Sequence, residues 1–357
     1  MSEKTWSTEE LWGIFTMEEH RGKVFDGMYG RRAGGRDLGD PIVSRQALDT
    51  GPLPAYPEGR RFAVCLTHDI DDLYPPLTHK LLATPYLAAR LRARGLLDLW
   101  WPRRGGENRS PYRNFRRIMA IEESFGARSS FYFLLADRDI KRFRYRTDEV
   151  EADIGDIADR GWEVGLHGGY YAYDRPDLIR EEKRRLDRVL GRPSVGYRNH
   201  YLMFRVPETW EHLAAAGFRY DTTIGYNDVI GFASGACHPY RPYDARSGRW
   251  IDILELPLAI MDGGLCDSYR SPAAAFEAAK LVLRRVEDLG GVATLLWHNS
   301  TFDCPFRADR EKLYGKILGY CRDRGAWMAS GDEICDWWMG QRRPEQPLMA
   351  APAATEK

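Results

Sequence analysis

The stretch Arg61-Phe-Ala-Val-Cys-Leu-Thr-His-Asp-Ile-Asp-Asp72 decides how this chain is read. Phe62 to Leu66 is a short continuous apolar run, the pattern of a strand buried on both faces in a parallel sheet. It runs directly into a cluster of acids. Side chains two apart on a strand point the same way, so Asp69 and Asp71 share a face. Two carboxylates at a buried strand end repel each other unless positive charge sits between them. A divalent cation meets that need and leaves one acid over as a base. The same letters also suit a polar strand-to-loop transition with Asp as a turn former. The rest of the chain has to choose.

Outward from this stretch a strand–helix alternation sets in. Helical patterns at 111–125, 148–160, 174–191, 207–216, 271–290, 307–322 and 332–339 alternate with short apolar runs at 129–135, 162–167, 194–198, 218–221, 253–257, 292–298 and 327–329. Ser271-Pro272 and Gly290-Gly291 mark a helix start and stop by N-cap and C-cap chemistry. Such alternation predicts one α/β domain, barrel-like, over 61–340. Residues 1–60, broken by Gly34-Gly35 and Gly51-Pro52-Leu53-Pro54, read as an N-terminal extension lying on that domain. Residues 341–357 read as a loose tail.

Composition bounds the function. With 52 basic and 52 acidic side chains the net charge is zero, which gives no general pull toward nucleic acid. Eleven Trp and nineteen Tyr suit a carbohydrate site, although such rings more often fill cores. The six Cys form no C-x-x-C pair, the start MSEKTWSTEE has no signal-peptide pattern, and no apolar run approaches a membrane span. Together these predict a cytoplasmic protein. One segment is lopsided: between Lys80 and Arg104 six basic residues face a single acid, Asp98, with leucines and Trp100-Trp101 interleaved. It could touch an anionic membrane surface or a phosphate; the favoured reading is a solvated helix face inserted after the first strand.

In α/β folds the chemistry gathers at the C-terminal ends of the strands. Those ends read Thr67-His68-Asp69-Ile70-Asp71, Gly165-Leu166-His167, Gly196-Tyr197-Arg198-Asn199-His200 and Leu296-Trp297-His298-Asn299. Four of the eight His residues fall at such ends, which points to a metal or acid–base site on one rim.

The order Asp-x-Asp, His, Arg, Leu-x-His, each closing a strand, resembles a divergent branch of the polysaccharide deacetylases of the carbohydrate esterase group, over about residues 60–340. The resemblance implies a distorted (β/α) barrel with a divalent metal, most often Zn2+, that removes acetyl groups from N- or O-acetylated sugars. It implies Asp69 as catalytic base and Asp71 as metal ligand. The family's H-S/T-x-x-H motif corresponds to His167-Gly-Gly-Tyr-Tyr171, so His167 is a ligand and Tyr171 stands where a second His is expected. R-x-P-Y corresponds to Arg198-Asn-His-Tyr201 and L-x-H to Leu296-Trp297-His298. Catalytic zinc normally takes three protein ligands. His200, closing a neighbouring strand, is the best third candidate. His68, one residue out of phase with both acids, is placed in a supporting shell with Asp72.

In the implied reaction Asp69 takes a proton from water, Arg198 keeps Asp69 charged and oriented, and His298 protonates the leaving amine or alcohol. Tyr171, Tyr201 and Trp297 are the expected substrate contacts. The expected function is a metal-dependent deacetylase acting on a carbohydrate or carbohydrate-like biosynthetic intermediate. Two alternatives compete. One is a glycosyltransferase using Asp69 and Asp71 as a D-x-D site for a nucleotide-sugar, which leaves His167 and His298 without tasks. The other is a catalytically degenerate carbohydrate-binding protein of the same fold, suggested by Tyr171.

Overall fold

The computed structural model describes residues 6–27, 37–48, 55–104, 107–140, 144–341 and 348–349. Its central sheet has nine strands: β1 (Ala63–Ile70), β2 (Ser130–Leu134), β3 (Glu163–Gly168), β4 (Gly196–Asn199), β5 (Tyr220–Asp221), β6 (Leu254–Glu255), β7 (Leu258–Met261), β8 (Val292–Leu296) and β9 (Trp327–Ala329). They pair in the order β6-β5-β4-β3-β2-β1-β8-β7, all parallel. β1 changes neighbour halfway: Ala63–Cys65 pair with β9 and Thr67–Ile70 with β2.

The two edges of this sheet, β6 and β7, are consecutive in the chain, with only Leu256 and Pro257 between them. The Leu256 N–H donates to the Asp221 carbonyl at 2.8 Å and the Leu258 N–H to the Ile224 carbonyl at 2.9 Å. The sheet therefore curls until its edges meet, as a distorted barrel. The sequence reading drew one strand over 253–257. Only Leu254–Glu255 is a strand there, and a second strand, Leu258–Met261, begins just after Pro257, which lacks the N–H that a continuous ladder requires.

Parallel strands need crossovers, and the helices supply them on the outer face. Helix Pro272–Asp288 starts where Ser271 Oγ accepts from Ala274 N–H, with Pro272 in its first turn. Helix Pro176–Leu190 stops at Gly191, whose φ of 67° is left-handed.

The period of two sorts β1 between the layers. Val64, Leu66 and Ile70 face the helices in the main core, whereas Ala63 and Cys65 face the barrel interior with Tyr132 and Tyr220. Helix Gly331–Gln341 plugs the bottom: Gly331 N–H donates to Ser130 Oγ (2.8 Å) and Asp332 N–H to Glu163 Oε2 (2.9 Å). Burial pushes the Glu163 carboxyl well above its ordinary range. The bottom of the barrel is thus sealed, and the opposite end carries the site.

Within the N-terminal sixty residues, helix Thr8–Phe15 buries Leu11, Trp12 and Phe15 with Val43, Ala236 and Tyr240. Val24–Phe25 pairs antiparallel with Phe204–Arg205, just after β4. The expected loose tail departs from expectation at Leu348 and Met349, which are buried in the same cluster as Trp12 because they are apolar and reach it. The rest of 342–357 lies outside the described residues.

The segment after β1 folds as a helical hairpin, α1 (Leu77–Ala89) and α2 (Ala93–Trp100). Trp100 Nε1–H donates to Thr84 Oγ1 (2.9 Å), tying its arms together. The hairpin is solvated on its outer side, with Arg90, Arg92 and Arg94 exposed around its turn, but the exposed face of α1 is apolar. Leucines, not charges, stand exposed on α1. Among the described residues no helix is long and apolar enough to cross a membrane.

Candidate metal centre at the barrel mouth

Three donors from three segments meet at the open end. Asp71 Oδ1 lies 3.2 Å from His167 Nε2 and 3.4 Å from His200 Nδ1, and the two imidazole nitrogens are 3.0 Å apart. Asp71 follows β1, His167 sits on β3 and His200 follows β4. Two left-handed residues, Tyr201 (φ 58°) and Leu202 (φ 54°), turn the chain just beyond His200. Such strain costs about 1–3 kcal/mol per residue and is characteristic of functional loops. Here it leaves His200 buried while Tyr201 stands partly in solvent.

The triad fits a dication. His167 Nδ1 is 2.9 Å from the Arg198 carbonyl, which can only accept, so Nδ1 carries the proton and Nε2 presents a lone pair to the centre. Asp71 Oδ1 is buried yet takes no hydrogen bond of good geometry. The three edges of 3.0–3.4 Å match the face of a tetrahedron with ligand bonds of about 2.0–2.1 Å. Behind His200, Nε2 lies 3.6 Å from Asp139 Oδ1 and 3.4 Å from Arg144 Nη2. Arg144 also pairs with Asp72 Oδ2 at 3.0 Å, so Asp72 supports the site through Arg144 and His200. Carboxylates behind ligating imidazoles are the common way a metal site fixes its rings.

The charges of these groups act on one another. Burial pushes the Asp71 carboxyl up, but His200, His167 and His298 together bring it well below the usual carboxylate range. Burial lowers the His167 imidazole, and Asp69 and Asp71 outweigh it, so its pKa ends above the ordinary value.

Asp69 stands beside the triad but has a different partner. Its Oδ1 accepts from Arg198 Nη1 at 3.0 Å, and its Oδ2 is 3.7 Å from His167 Nε2. Arg198 is fully buried and fully engaged. Nη1 also donates to Thr67 Oγ1 (2.7 Å), Nη2 to Thr222 Oγ1 (2.9 Å) and Nε to the Thr222 carbonyl (2.9 Å), with the Tyr132 ring 5.1 Å from Cζ. A buried guanidinium held by five contacts cannot swing, so it fixes Asp69 in place.

On the far side of the mouth, His298 Nε2 is 3.9 Å from Asp71 Oδ2. Its Nδ1 lies 2.8 Å from Asp262 Oδ1, and its N–H donates to Asp262 Oδ2 at 3.0 Å. Burial lowers the His298 pKa, but Asp262, Asp71 and Asp69 outweigh it and raise it to about 10. Asp262 was missed in the sequence. The apolar run it follows, Leu258–Met261, lies beyond the strand read over 253–257 and was not read as a strand. Asp139 and Arg144 had no signal, since they lie in an irregular loop.

Two sequence-predicted residues stand elsewhere. Trp297 was expected to stack on a sugar. It is completely buried and packs on Tyr314 at 5.2 Å, because it faces the helices, one residue out of phase with His298. His68 was expected in the supporting shell. It too faces the helices, with Nε2 2.7 Å from Glu122 Oε1 and Nδ1 2.7 Å from the Trp297 carbonyl. Tyr171 does not join the triad. It is 38% exposed, with Arg138 over its ring, and Tyr170 lies against both Tyr171 and Tyr201. The loop between His167 and Tyr171 is tightly packed. A Cβ on Gly168 would lie 1.9 Å from Tyr197 Oη.

No protein-family model matches the sequence, and no curated protein matches it. Solved structures do. A candidate polysaccharide deacetylase from Mycobacterium smegmatis aligns with a TM-score of 0.54 at 22% identity, covering 83% of this chain and 99% of that one. A "probable" polysaccharide deacetylase from Pseudomonas aeruginosa PAO1 aligns with a TM-score of 0.54 at 14% identity, covering 86% and 98%. At these identities the likeness is one of fold. The chain has the distorted (β/α) barrel of the polysaccharide deacetylase type.

Proposed function

We propose that this chain is a metal-dependent hydrolase that removes an acetyl or other acyl group from a carbohydrate or carbohydrate-like intermediate. One observation carries the reading: the two acids of Asp69-Ile-Asp71 are divided in use, Asp69 on Arg198 and Asp71 on the His167–His200 pair. A D-x-D site gripping a nucleotide-sugar through one ion would use both acids together, so the division speaks for hydrolysis. His200 supplies the donor that Tyr171 does not, which speaks for a working centre rather than a degenerate one.

Asp71, His167 and His200 would hold the dication, Zn2+ by its usual preference for this donor set. When bound there it lowers the pKa of a water and polarises a carbonyl oxygen. Asp69, immobilised by Arg198, accepts a proton from the attacking water. His298 enters as imidazolium, kept so by Asp262, and passes its proton to the departing nitrogen or oxygen. The acyl carbon gains the water oxygen and loses its bond to the amine or alcohol. Tyr171 and Tyr201 present half-exposed rings at the mouth, the surface on which a sugar face would stack.

The test is acetate release from N-acetylated and O-acetylated oligosaccharides by the zinc-loaded protein. Turnover that disappears in Asp69→Asn, with metal content unchanged, supports the assignment. A zinc-loaded protein that releases acetate from neither class overturns it.

A further inference from the structure

The hairpin that leaves β1 is built the wrong way round for water. Seven of the thirteen large apolar side chains that stand exposed among the described residues lie between Leu77 and Trp101. Leu91 is 92% exposed, Trp101 64%, Leu77 63% and Leu81 59%. On α1 the exposed positions carry no charge at all: Leu77, Leu81, Leu82, Pro85 and Tyr86 form the stripe with two alanines, and Thr78 is its single polar side chain. An uncharged apolar stripe of this extent marks an interaction surface. The hairpin's inner side is no extension of the main core either. Ala83, Leu87 and Leu99 form a small cluster of their own beside a cavity of about 590 Å3.

The charges next to the stripe identify the occupant. Leu91, at the turn with φ 51°, is flanked by the exposed Arg90, Arg92 and Arg94. Apolar side chains projecting between arginines match a bilayer surface, where the leucines enter the acyl boundary and the guanidiniums meet anionic headgroups. A second copy of the chain fits less well. In a twofold contact the same patch faces itself, so each set of arginines brings a like charge and no counter-charge.

We propose that the α1–α2 hairpin docks the protein on an anionic lipid bilayer. α1 begins six residues after Asp71, so the docking hairpin is joined to the mouth end of β1. The inference stands on the exposed surface and holds whatever reaction the barrel performs.

Flotation of the full-length protein with vesicles tests it. Vesicles of phosphatidylcholine with about one-third phosphatidylglycerol should carry the protein upward, and phosphatidylcholine alone should carry far less, with binding weakening as salt rises. Replacing Arg90, Arg92 and Arg94 by Gln should weaken binding to the anionic vesicles roughly 100-fold at low salt. Leu81→Glu with Leu82→Glu should abolish it. Leu91→Asp, at a turn position outside any core, should weaken it without touching the fold, with unchanged far-UV circular dichroism as the control. A wild-type protein that stays at the bottom with anionic vesicles overturns the proposal. So does a dimer, seen by sedimentation, that the Leu81/Leu82 variant dissociates while neither protein binds vesicles.

Discussion

Asp262→Asn isolates the residue that the proposed mechanism most needs and that the sequence did not advertise. Asn keeps the side-chain volume, and its carbonyl oxygen can still accept from His298 Nδ1; its NH2 no longer accepts from the His298 backbone N–H, a loss that does not vary with pH, whereas the removed charge does. Asp262 is the largest influence raising the His298 pKa to about 10 against burial. A return to the ordinary value near 6.5 leaves roughly one molecule in ten protonated at about pH 7.5. If His298 is the general acid, kcat then falls about tenfold, or about 1.4 kcal/mol. The loss is recoverable: near pH 6 most of the imidazole is charged again, and kcat should approach that of the parent. The assay is acetate release across pH 5.5 to about 10.5, read as the position of the alkaline limb. A dication beside Asp71 lowers that limb in both proteins, so the separation between them carries the test. An unmoved limb, or a tenfold loss that persists at low pH, would refute the acid role and leave Asp262 a purely structural partner.

Other outcomes follow from named contacts. His200→Ala should lose the metal while Tyr171→Phe keeps it, read by metal stoichiometry after dialysis; retention in the His200 variant would return the third ligand to another residue. Glu182 is buried, and burial raises its carboxyl to about 7 although Gly169 N–H donates to it at 2.9 Å. A raised acid favours the protonated fold, so its contribution is complete below the unfolded value of about 4.5 and is lost as pH rises through about 7. Glu182→Gln should therefore be more stable than the parent at about pH 8, by up to about 3 kcal/mol, and nearly equal below pH 4.5, in urea unfolding; parallel pH curves for the two proteins would count against this. Gly168→Ala must displace the Tyr197 ring, since its Cβ would meet Oη at 1.9 Å, and should cost roughly 3 kcal/mol or more in thermal unfolding.

Most of the barrel could be read from the residues because its strands are buried on both faces and its helices carry their own punctuation. Apart from Thr294 and Ser130, Val292–Leu296 and Ser130–Leu134 are apolar or aromatic, and Ser271-Pro272 and Gly191 stand at helix ends for local reasons. The site was legible where a residue closes such a strand, as at Asp69, His167, Arg198 and His298. It was illegible where position depends on the curl of the sheet. Asp262 reaches His298 because β7 lies next to β8, a pairing between segments about thirty residues apart that no local pattern encodes. The α1–α2 segment was legible only in part for a related reason. Counting charges gives its net sign, but only the packing of Ala83 and Leu87 inward determines that leucines face out.

The phase of β1 explains how one short run of polar residues serves three purposes. Thr67, Asp69 and Asp71 point to the barrel interior and mouth; His68 and Ile70 point to the helices. Arg198 enters the same interior from β4 and binds Thr67 Oγ1 and Asp69 Oδ1 with one nitrogen, which leaves Asp69 ionically satisfied before any ion arrives. Asp71, two residues further and beyond the reach of those contacts, is left to His167 and His200. The chain thus separates the proposed base from the proposed ligand by one strand period, about 7 Å along the backbone. A single-residue insertion between Asp69 and Asp71 would send one acid to the helix side, and metal binding and proton transfer would fail together; loss of turnover with full metal content in such a variant would show that the two acids are not coupled through the strand.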